Sequence, residues 1–388
     1  MAEREQRVTP LELFFDLVFV FGLTQVTNLM SADPTWGGLG RGLLVLAALW
    51  WAWSGYAWLT NQLEPEESAV RASMVGAMAA MLVVALAVPE AFDEHGVLFA
   101  VAYLIVRLLQ LQLFATAGRR NPDLLEAVLR QVLPATLAPA ILIVAGFFDG
   151  TAQAALWILA LVGDYLVALR GGGGSWRVSP AHFAERYGLI VIIALGESIV
   201  SIGIGAAGVS LTPSIVAAAV LGIVALAALW WAYFDVYAVM AQRQLSNASG
   251  AARVRFARDQ YSYLHLPMIA GVVLFALGLK KTIEHVGDPL ETVPAVALCG
   301  GVALYFFAHV VMRIRSVYTL RRTTGDRRAW LGVGRPAATV AALALIPVAL
   351  ELSALKALAL VTAVCVALIV YDVIHYREER SQVREARP

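Results

Sequence analysis

Charged side chains are scarce in this chain. Of its 388 residues only 15% are Asp, Glu, Lys or Arg, against roughly 25% in an ordinary soluble domain. The net charge is +1, which offers no electrostatic footprint for DNA or RNA. The composition therefore excludes a soluble enzyme, a disordered chain and a nucleic-acid binder.

Cysteines and catalytic motifs are also few. The two cysteines, Cys299 and Cys365, both lie in apolar runs, which excludes a disulfide framework or a zinc site. The sequence has no HExxH motif, no phosphate-binding loop and no paired histidine cluster. No Lys/Arg-rich leader precedes the first apolar run, so no removable signal peptide is expected. We accordingly expect neither an enzyme nor a cofactor.

Long apolar runs dominate what is present. Hydrophobic residues make up 60% of the chain and the mean hydropathy is +0.73. The runs do not alternate as barrel strands do, and about 20 apolar residues suffice for one membrane-spanning helix. The sequence therefore predicts an all-α polytopic membrane protein with twelve spans: 11–30, 38–60, 71–90, 96–117, 124–147, 151–170, 184–207, 213–240, 261–280, 292–313, 333–352 and 355–376.

The basic residues alternate between the two sides of the predicted spans. With the N-terminus in the cytoplasm, most of the 29 Lys and Arg residues fall on the inside, as the positive-inside rule requires. The richest inside segments are 241–260 and 313–335. The outside segments carry only Arg41, Lys280, Lys281 and Lys356. This pattern predicts that both termini are cytoplasmic.

The two halves of the chain resemble each other. LWWAW from Leu49 matches LWWAY from Leu229, and each is followed by Tyr-Ala. Further matches in the same order pair Gln25 with Glu197, Tyr103 with Tyr305, and Arg107 with His309. An even number of spans per half gives a parallel 6+6 repeat. The predicted divisions are residues 1–170 for the first six-helix unit, 171–183 for a Gly-rich cytoplasmic linker, 184–376 for the second unit and 377–388 for a charged cytoplasmic tail.

The first predicted span carries several polar side chains. A charge at mid-bilayer costs about 2.5–3.5 kcal/mol, so each is a candidate functional group. Glu12 and Asp16 are four residues apart and share a helix face, although Glu12 also fits a capping box with Thr9. Gln25 lies about 180° from Asp16. The span is therefore either broken near Gly22 or in contact with different partners on two sides.

The seventh span contains the acid closest to the middle of a span. Glu197 is flanked by Ser198 and by several glycines, which leave room for a polar path. We expect it to be a coupling or gating carboxylate; the alternative is a structural hydrogen bond to a neighbouring helix. At the start of the same span, Glu185 and Arg186 form a charged rim with His182, which we interpret as a local Glu–Arg pair.

Arg107, in the fourth span, requires an anion. An unpaired guanidinium in hydrocarbon is too costly to persist, and the expected partners are Glu197 and Asp16. His309 takes the place of Arg107 in the second half and can titrate near neutral pH. The candidate ion-binding or coupling set is therefore Glu197, Asp16, Arg107, Gln25, Ser198, His309, Glu12 and Glu185.

Two segments of the chain resemble a known family. TPLELFFDLVFVFGLTQ from Thr9 and HFAERYGLIVIIALGESIV from His182 are similar to the hallmark segments of the bacterial low temperature requirement protein A (LtrA) family, along essentially the whole chain. The resemblance implies a multi-pass protein of the bacterial inner membrane, named for a growth phenotype in the cold. The motif positions are Glu12, Phe15, Asp16, His182, Glu185, Arg186, Gly196 and Glu197.

Three functions fit these features. The repeat, Glu197 and the prolines within spans favour a secondary transporter of a small solute or ion, coupled to protons. F-x-D-x-V-F from Phe14 is similar to the Phe-Ser-Asp segment of the potassium channels with six-helix units, with Phe15 in place of serine, so a channel lined by spans 1 and 7 is the alternative. A non-transporting scaffold or lipid-acting protein is the third. The lipid bilayer is the expected partner; the solute, the coupling ion and homo-oligomer formation stay open.

Overall fold

The computed structural model of the chain describes residues 7–63, 67–119, 121–170, 176–207, 209–324 and 332–375. These residues form twelve principal helices, numbered α1 to α12 in chain order. They are α1 (Pro10–Ala32), α2 (Trp36–Thr60), α3 (Ser68–Glu90), α4 (Gly96–Gly118), α5 (Pro122–Ala145), α6 (Gly150–Arg170), α7 (Pro180–Ala206), α8 (Pro213–Asn247), α9 (Gly250–Glu284), α10 (Thr292–Thr324), α11 (Gly334–Ala349) and α12 (Ala354–His375).

Each helix corresponds to one predicted span. Eleven of those in the described part of the chain are long and apolar enough to cross a membrane, and α11 is shorter, with 16 residues. The prediction of an all-α polytopic membrane protein is confirmed. The start of the predicted linker, residues 171–175, and the predicted tail, 377–388, lie outside the described residues.

The helix starts follow from capping residues that the sequence displays. Thr9, Asn121 and Thr212 each precede a proline and accept a hydrogen bond from a backbone N–H of the first turn. Such caps each contribute about 1 kcal/mol to helix stability, and proline suits the first turn because its missing N–H would have no partner there. The helices α1, α5 and α8 therefore begin where the sequence predicts.

Prolines and glycines within the spans do not end the helices. The helix α5 runs through Pro134 and Pro139, and α1 runs past Gly22. The helix α5 therefore continues through both prolines, because membrane helices can satisfy the freed backbone groups in other ways. For α1, the structure leaves the alternative in which two faces of one continuous helix contact different surroundings.

The helices divide into two compact units by their contacts. The first unit comprises the chain through Asp33, with Gly37–Tyr187 and Ala248–Arg258, and the second comprises Pro34–Trp36, Gly188–Asn247 and the chain from Asp259. The division falls within α7 and within α9.

The first unit is built on aromatic side chains. Its helices α3, α4, α5 and α6 pack each on the next, and α1 packs on α3. Trp50 and Trp53 of α2 and Trp157 of α6 are at most 1% exposed. Phe15 of α1 packs against Tyr56 with ring centroids 4.7 Å apart. This core holds the inner faces of α1 and α2, which carry the polar groups described below.

The second unit contains a close helix pair, α9 and α10. A Cβ on Gly271 would lie 2.6 Å from the carbonyl oxygen of Gly301, and one on Gly278 would lie 2.5 Å from Leu298 Cα. Glycine is required at these positions because the two backbones are in contact. The helix α10 also packs on α11, α11 on α12, and α12 on α8.

The helix α8 contains one π-helical turn, at Tyr233–Tyr237. A π turn accommodates an additional residue without ending the helix. One more residue separates Leu229 from Tyr237 than separates Leu49 from Tyr56 in α2. The additional residue of α8 falls within the π turn, which explains how two matching sequences of unequal length both form continuous helices.

Candidate functional site

The helix α1 directs its two acids to the interior of the first unit. Glu12 and Asp16 are both 0% exposed, whereas Leu13 and Leu17 are 41% and 60% exposed. Spacing of four residues places both carboxylates on the buried face, and the leucines face outward. Burying two carboxylates in a membrane-spanning helix is costly unless each has a cationic or hydrogen-bonding partner.

Glu12 has two roles at the start of α1. Its carboxylate accepts hydrogen bonds from the backbone N–H of Thr9 at 2.8 Å and from the Thr9 hydroxyl at 3.0 Å. The predicted capping box is therefore confirmed. The same carboxylate lies 2.9 Å, through Oε1, from Nε2 of His182 on α7. Glu12 thus completes the capping box of α1 and also joins α1 to the start of α7.

Asp16 joins three helices of the first unit. Its Oδ2 accepts a hydrogen bond from Nη1 of Arg186 at 2.8 Å, and its Oδ1 accepts one from the Trp53 indole N–H at 2.8 Å. The Arg186 guanidinium also lies 5.6 Å from the centroid of the Trp53 ring, a distance suited to a cation–π contact. Its Nε is 3.8 Å from Glu12 Oε1. Arg186 therefore lies between the two acids.

The predicted local pair of Glu185 and Arg186 is wrong. Glu185 is exposed, and its Oε2 accepts a hydrogen bond from the backbone N–H of Val8 at 3.2 Å. Adjacent residues in a helix point about 100° apart, so Arg186 faces inward to Asp16 while Glu185 faces outward.

Glu12, Asp16, His182 and Arg186 form what we call the buried ionic network. All four side chains are 0% exposed. Both acids lie four residues apart on α1, and both basic residues lie four residues apart on α7, so the two pairs can meet along one line. That matched spacing is visible in the sequence and could have indicated the pairing. The contribution of Trp53 depends on the packing of α2 and is not visible in the spacing.

Arg107 forms a second buried ion pair. Its Nη2 donates to both carboxylate oxygens of Asp164 on α6, at 3.2 and 3.0 Å, and both side chains are at most 7% exposed. Arg107 therefore has an acidic partner, as expected, but the choice of Glu197 or Asp16 is wrong. Asp164 lies near the end of α6 and is not among the candidate residues that the sequence indicated.

Two further side chains form hydrogen bonds to the Arg107–Asp164 pair. Gln110 Oε1 accepts from Arg107 Nη1 at 3.0 Å, and the Trp51 indole hydrogen-bonds to Asp164. A Cβ on Gly55 would lie 1.8 Å from Gln110 Nε2. The absence of a side chain at Gly55 therefore provides the space that Gln110 occupies beside the guanidinium.

Glu197 is fully buried in the second unit. Its Oε1 accepts a hydrogen bond from the Ser201 hydroxyl at 2.7 Å, one turn further along α7. Lys280 of α9 lies within electrostatic reach of its carboxylate. The groups near the Glu197 carboxylate thus include the Ser201 hydroxyl and the Lys280 ammonium, and Lys280 is a partner that sequence reasoning missed.

The remaining predicted residues differ in their surroundings. Ser198 is buried and donates to the Ala194 carbonyl at 3.4 Å. Gln25 is half-buried on α1. His309 is 1% exposed in the second unit, and its Nδ1 lies 2.9 Å from the Tyr305 carbonyl oxygen. Of the predicted set, the structure therefore brings only Glu12 and Asp16 into direct participation in the buried ionic network.

Comparison with known proteins finds relatives by sequence. The family model described as bacterial low temperature requirement A protein (LtrA) matches residues 7–370. The chain is 33% identical over 288 residues to the uncharacterized protein RA0937 of Rhizobium meliloti (strain 1021), which covers 71% of this chain and 69% of that relative. No solved structure matches the chain. The family match includes both segments that supply the buried ionic network.

Proposed function

Because the chain belongs to the bacterial low temperature requirement A (LtrA) family, which is named for growth in the cold and not for a reaction, we propose its function from the buried groups of its spans. The protein is a secondary transporter of a small solute or ion, coupled to protons. Glu197 is the coupling carboxylate, and the buried ionic network controls the end of the first unit at which α1 and α7 begin.

The observation that carries this proposal is the buried ionic network itself. Burying four ionisable side chains with no exposed surface has a large desolvation cost. Apolar residues of similar volume at such a helix contact often give equal or greater stability. In membrane proteins such groups are expected to mark ion and proton pathways. Paired charges that can separate and re-form provide a gate that opens when a partner changes its protonation or binds a solute.

The 6+6 repeat that the sequence predicts is the second support for a carrier. In the first unit the Tyr103 hydroxyl donates to the Ala48 carbonyl at 3.1 Å, and in the second the Tyr305 hydroxyl donates to the Leu229 carbonyl at 2.8 Å. Each bond joins the fourth helix of its half to the second helix, and the two accepting carbonyls are one position apart in the alignment of Leu49 with Leu229. Many secondary transporters consist of two such halves. We expect an experimental structure to superpose the six helices of one half on those of the other.

The location proposed for the protein is the bacterial inner membrane, with both termini in the cytoplasm. The arginine-rich segments between the spans support this orientation through the positive-inside rule. A reporter enzyme that is active only in the periplasm, fused after residue 388, is expected to be inactive. Activity of that fusion would reverse the orientation.

Flux through the purified protein tests the carrier proposal. We would reconstitute the chain in liposomes that contain the pH-sensitive dye pyranine and add K⁺, Na⁺, amino acids and small organic cations in turn. A carrier gives proton movement that depends on one of these solutes and saturates as its concentration rises. A current proportional to voltage, without saturation, would instead show a channel, and no movement with any solute would favour a scaffold.

A further inference from the structure

A cluster of polar and aromatic groups in the second unit lies where two π-helical turns meet. One is the π turn of α8 at Tyr233–Tyr237, and the other, at Ala257–Tyr263, lies in α9. Gln260 Nε2 of the second turn donates to the Tyr237 hydroxyl of the first at 3.0 Å. Single π turns are rare and frequently occur at functional sites. Two in direct hydrogen-bonded contact therefore indicate a position under functional constraint.

Two buried histidines belong to this cluster, and their protonation follows from their partners. His265 Nδ1 lies 2.9 Å from the Gln260 carbonyl oxygen, and its Nε2 lies 2.9 Å from the Tyr233 hydroxyl. A carbonyl oxygen can only accept, so His265 Nδ1 carries the hydrogen and its Nε2 accepts from Tyr233. Both nitrogens of neutral His265 are thereby satisfied.

His309 differs from His265 in that only one of its ring nitrogens has a hydrogen-bond partner within the described residues. Its Nδ1 donates to the Tyr305 carbonyl at 2.9 Å, which makes Nε2 the basic nitrogen of the neutral ring. Within the described residues, His309 Nε2 and Gln260 Oε1 are both buried and neither has a hydrogen-bond partner. The cluster thus contains an imidazole lone pair that can bind a proton and an amide oxygen that can accept a hydrogen bond.

Aromatic rings surround His309. The ring centroids of Tyr305, Tyr237 and Tyr233 lie 4.6, 5.2 and 6.1 Å from that of His309. Tyrosine faces stabilise a cation that lies close to them. Rings in contact at these distances leave room for a proton, whereas a hydrated metal ion or an organic cation would require them to separate.

The charged groups near His309 come from three further helices. Arg335 at the start of α11 lies within electrostatic reach of it, as does His265 of α9. Arg335 is itself paired with Asp372 of α12 at 3.3 Å, which partly neutralises it. The titratable residues of α8 whose rings pack on His309 are Tyr233 and Tyr237.

We propose that Nε2 of His309 is a proton-binding site of the second unit, formed with Gln260, Tyr237 and His265. A hydronium ion gives up a proton to the lone pair of Nε2: one O–H bond of hydronium breaks, leaving water, and one N–H bond forms, giving an imidazolium. Nδ1–H keeps its hydrogen bond to the Tyr305 carbonyl. The new N–H donates to an oxygen of the cluster, for which Gln260 Oε1 has the free acceptor capacity.

The corresponding position in the first half supports this assignment. His309 aligns with Arg107, and Tyr305 with Tyr103, at one constant spacing. Arg107 always carries a charge and is paired with Asp164. A histidine in one half and an arginine in the other would give the two halves different charges at corresponding positions. The claim that His309 is a second coupling site rests on the proposed function. The claim that His309 binds a proton does not.

Nitrogen-15 NMR of the full chain with labelled histidine tests the site without reference to transport. The sequence contains six histidines, and His309→Gln removes one signal, with exposed His285→Gln as the matched control. We expect the His309 Nε2 signal to move from that of a bare acceptor to that of an N–H as the pH is lowered from about 9 to about 2. A signal that stays at the neutral tautomer across this range would overturn the proposal.

A second assignment keeps the test valid if His309→Gln does not fold. In the parent protein the His309 ring is identified by its magnetisation transfer to the Tyr305 ring, whose centroid is 4.6 Å away. A titrating His309 in a protein that moves no solute supports the site and contradicts only the carrier. A protein that transports with His309 neutral throughout contradicts the site and leaves the carrier intact.

Discussion

Arg186 of α7 donates a hydrogen bond to Asp16 of α1 at 2.8 Å, and neither side chain has any exposed surface. These residues are 170 positions apart in the chain. Their pairing connects the two sequence segments that identify the family, because the acid comes from the first segment and the base from the second. The motif is therefore one interhelical contact between α1 and α7.

Removing one member of this pair should destabilise the protein strongly. Asp16→Leu leaves Arg186 buried without its closest carboxylate, which is expected to cost about 3–5 kcal/mol. The control is Asp33→Asn, because Asp33 pairs with Arg41 at the surface and an exposed pair contributes about 0–1 kcal/mol. Thermal unfolding in detergent should show a large loss of Tm for the first variant and little for the second.

The double variant Asp16→Leu/Arg186→Met separates pairing from packing. If the cost arises from the unpaired charge, replacing both residues with apolar ones should recover much of the lost Tm. If the loss of stability in the double variant equals the sum of the losses in the two single variants, the charge pairing is not what stabilises the contact.

Arg107 and Asp164 should be coupled in the same way. Asp164→Asn removes the negative charge and replaces one of the two accepting oxygens with an NH2 group, and it is expected to lower stability by about 2–4 kcal/mol. Glu126→Gln, on the exposed i,i+4 pair with Arg130, should change it by less than about 0.5 kcal/mol. Equal melting temperatures for the two variants would contradict a buried ion pair between α4 and α6.

The sequence predicts the helices of this protein much better than the partners of its charges. Twenty consecutive apolar residues can form little except a spanning helix, so the spans follow from length and composition. The partner of Arg107 is different, because Asp164, Asp16 and Glu197 are all acids within spans and only the packing of α4 on its neighbours selects one. Hydropathy contains no information about that choice.

The π turn of α8 could be predicted from the sequence only in part. The additional residue is visible in the sequence, since Leu229 and Tyr237 are one residue further apart than Leu49 and Tyr56. Whether such an insertion extends a loop, shifts the helix or forms a π turn depends on which side chains stay buried. Tyr233 remains 1% exposed, and the π turn keeps it inward while Tyr237 reaches Gln260.

Close packing of α9 on α10 should depend on glycine. A leucine at Gly278 would place its Cβ 2.5 Å from Leu298 Cα, so the helices must separate, at a cost of about 1–3 kcal/mol or more. Gly40→Leu is the control, since a Cβ there meets nothing within 4 Å. Expression and Tm in detergent should fall for Gly278→Leu alone.

Retention of parent-like stability by Gly278→Leu would contradict the close approach of the two backbones. Gly278→Ala tests how much the size of the side chain matters. Its single methyl group still overlaps Leu298, but it requires α9 and α10 to separate less than a leucine would. We expect its Tm to lie between those of the parent and Gly278→Leu.

The most direct test of the central claim is proton-coupled flux with Glu197→Gln. This substitution preserves the size of the side chain and an oxygen that can accept from Ser201, but it cannot bind or release a proton. In pyranine-loaded liposomes, the parent and the surface control Glu126→Gln should show saturable, solute-dependent proton movement. Glu197→Gln should insert and melt like the parent yet lose that movement. Undiminished pH-dependent transport by Glu197→Gln would contradict its assignment as the coupling carboxylate.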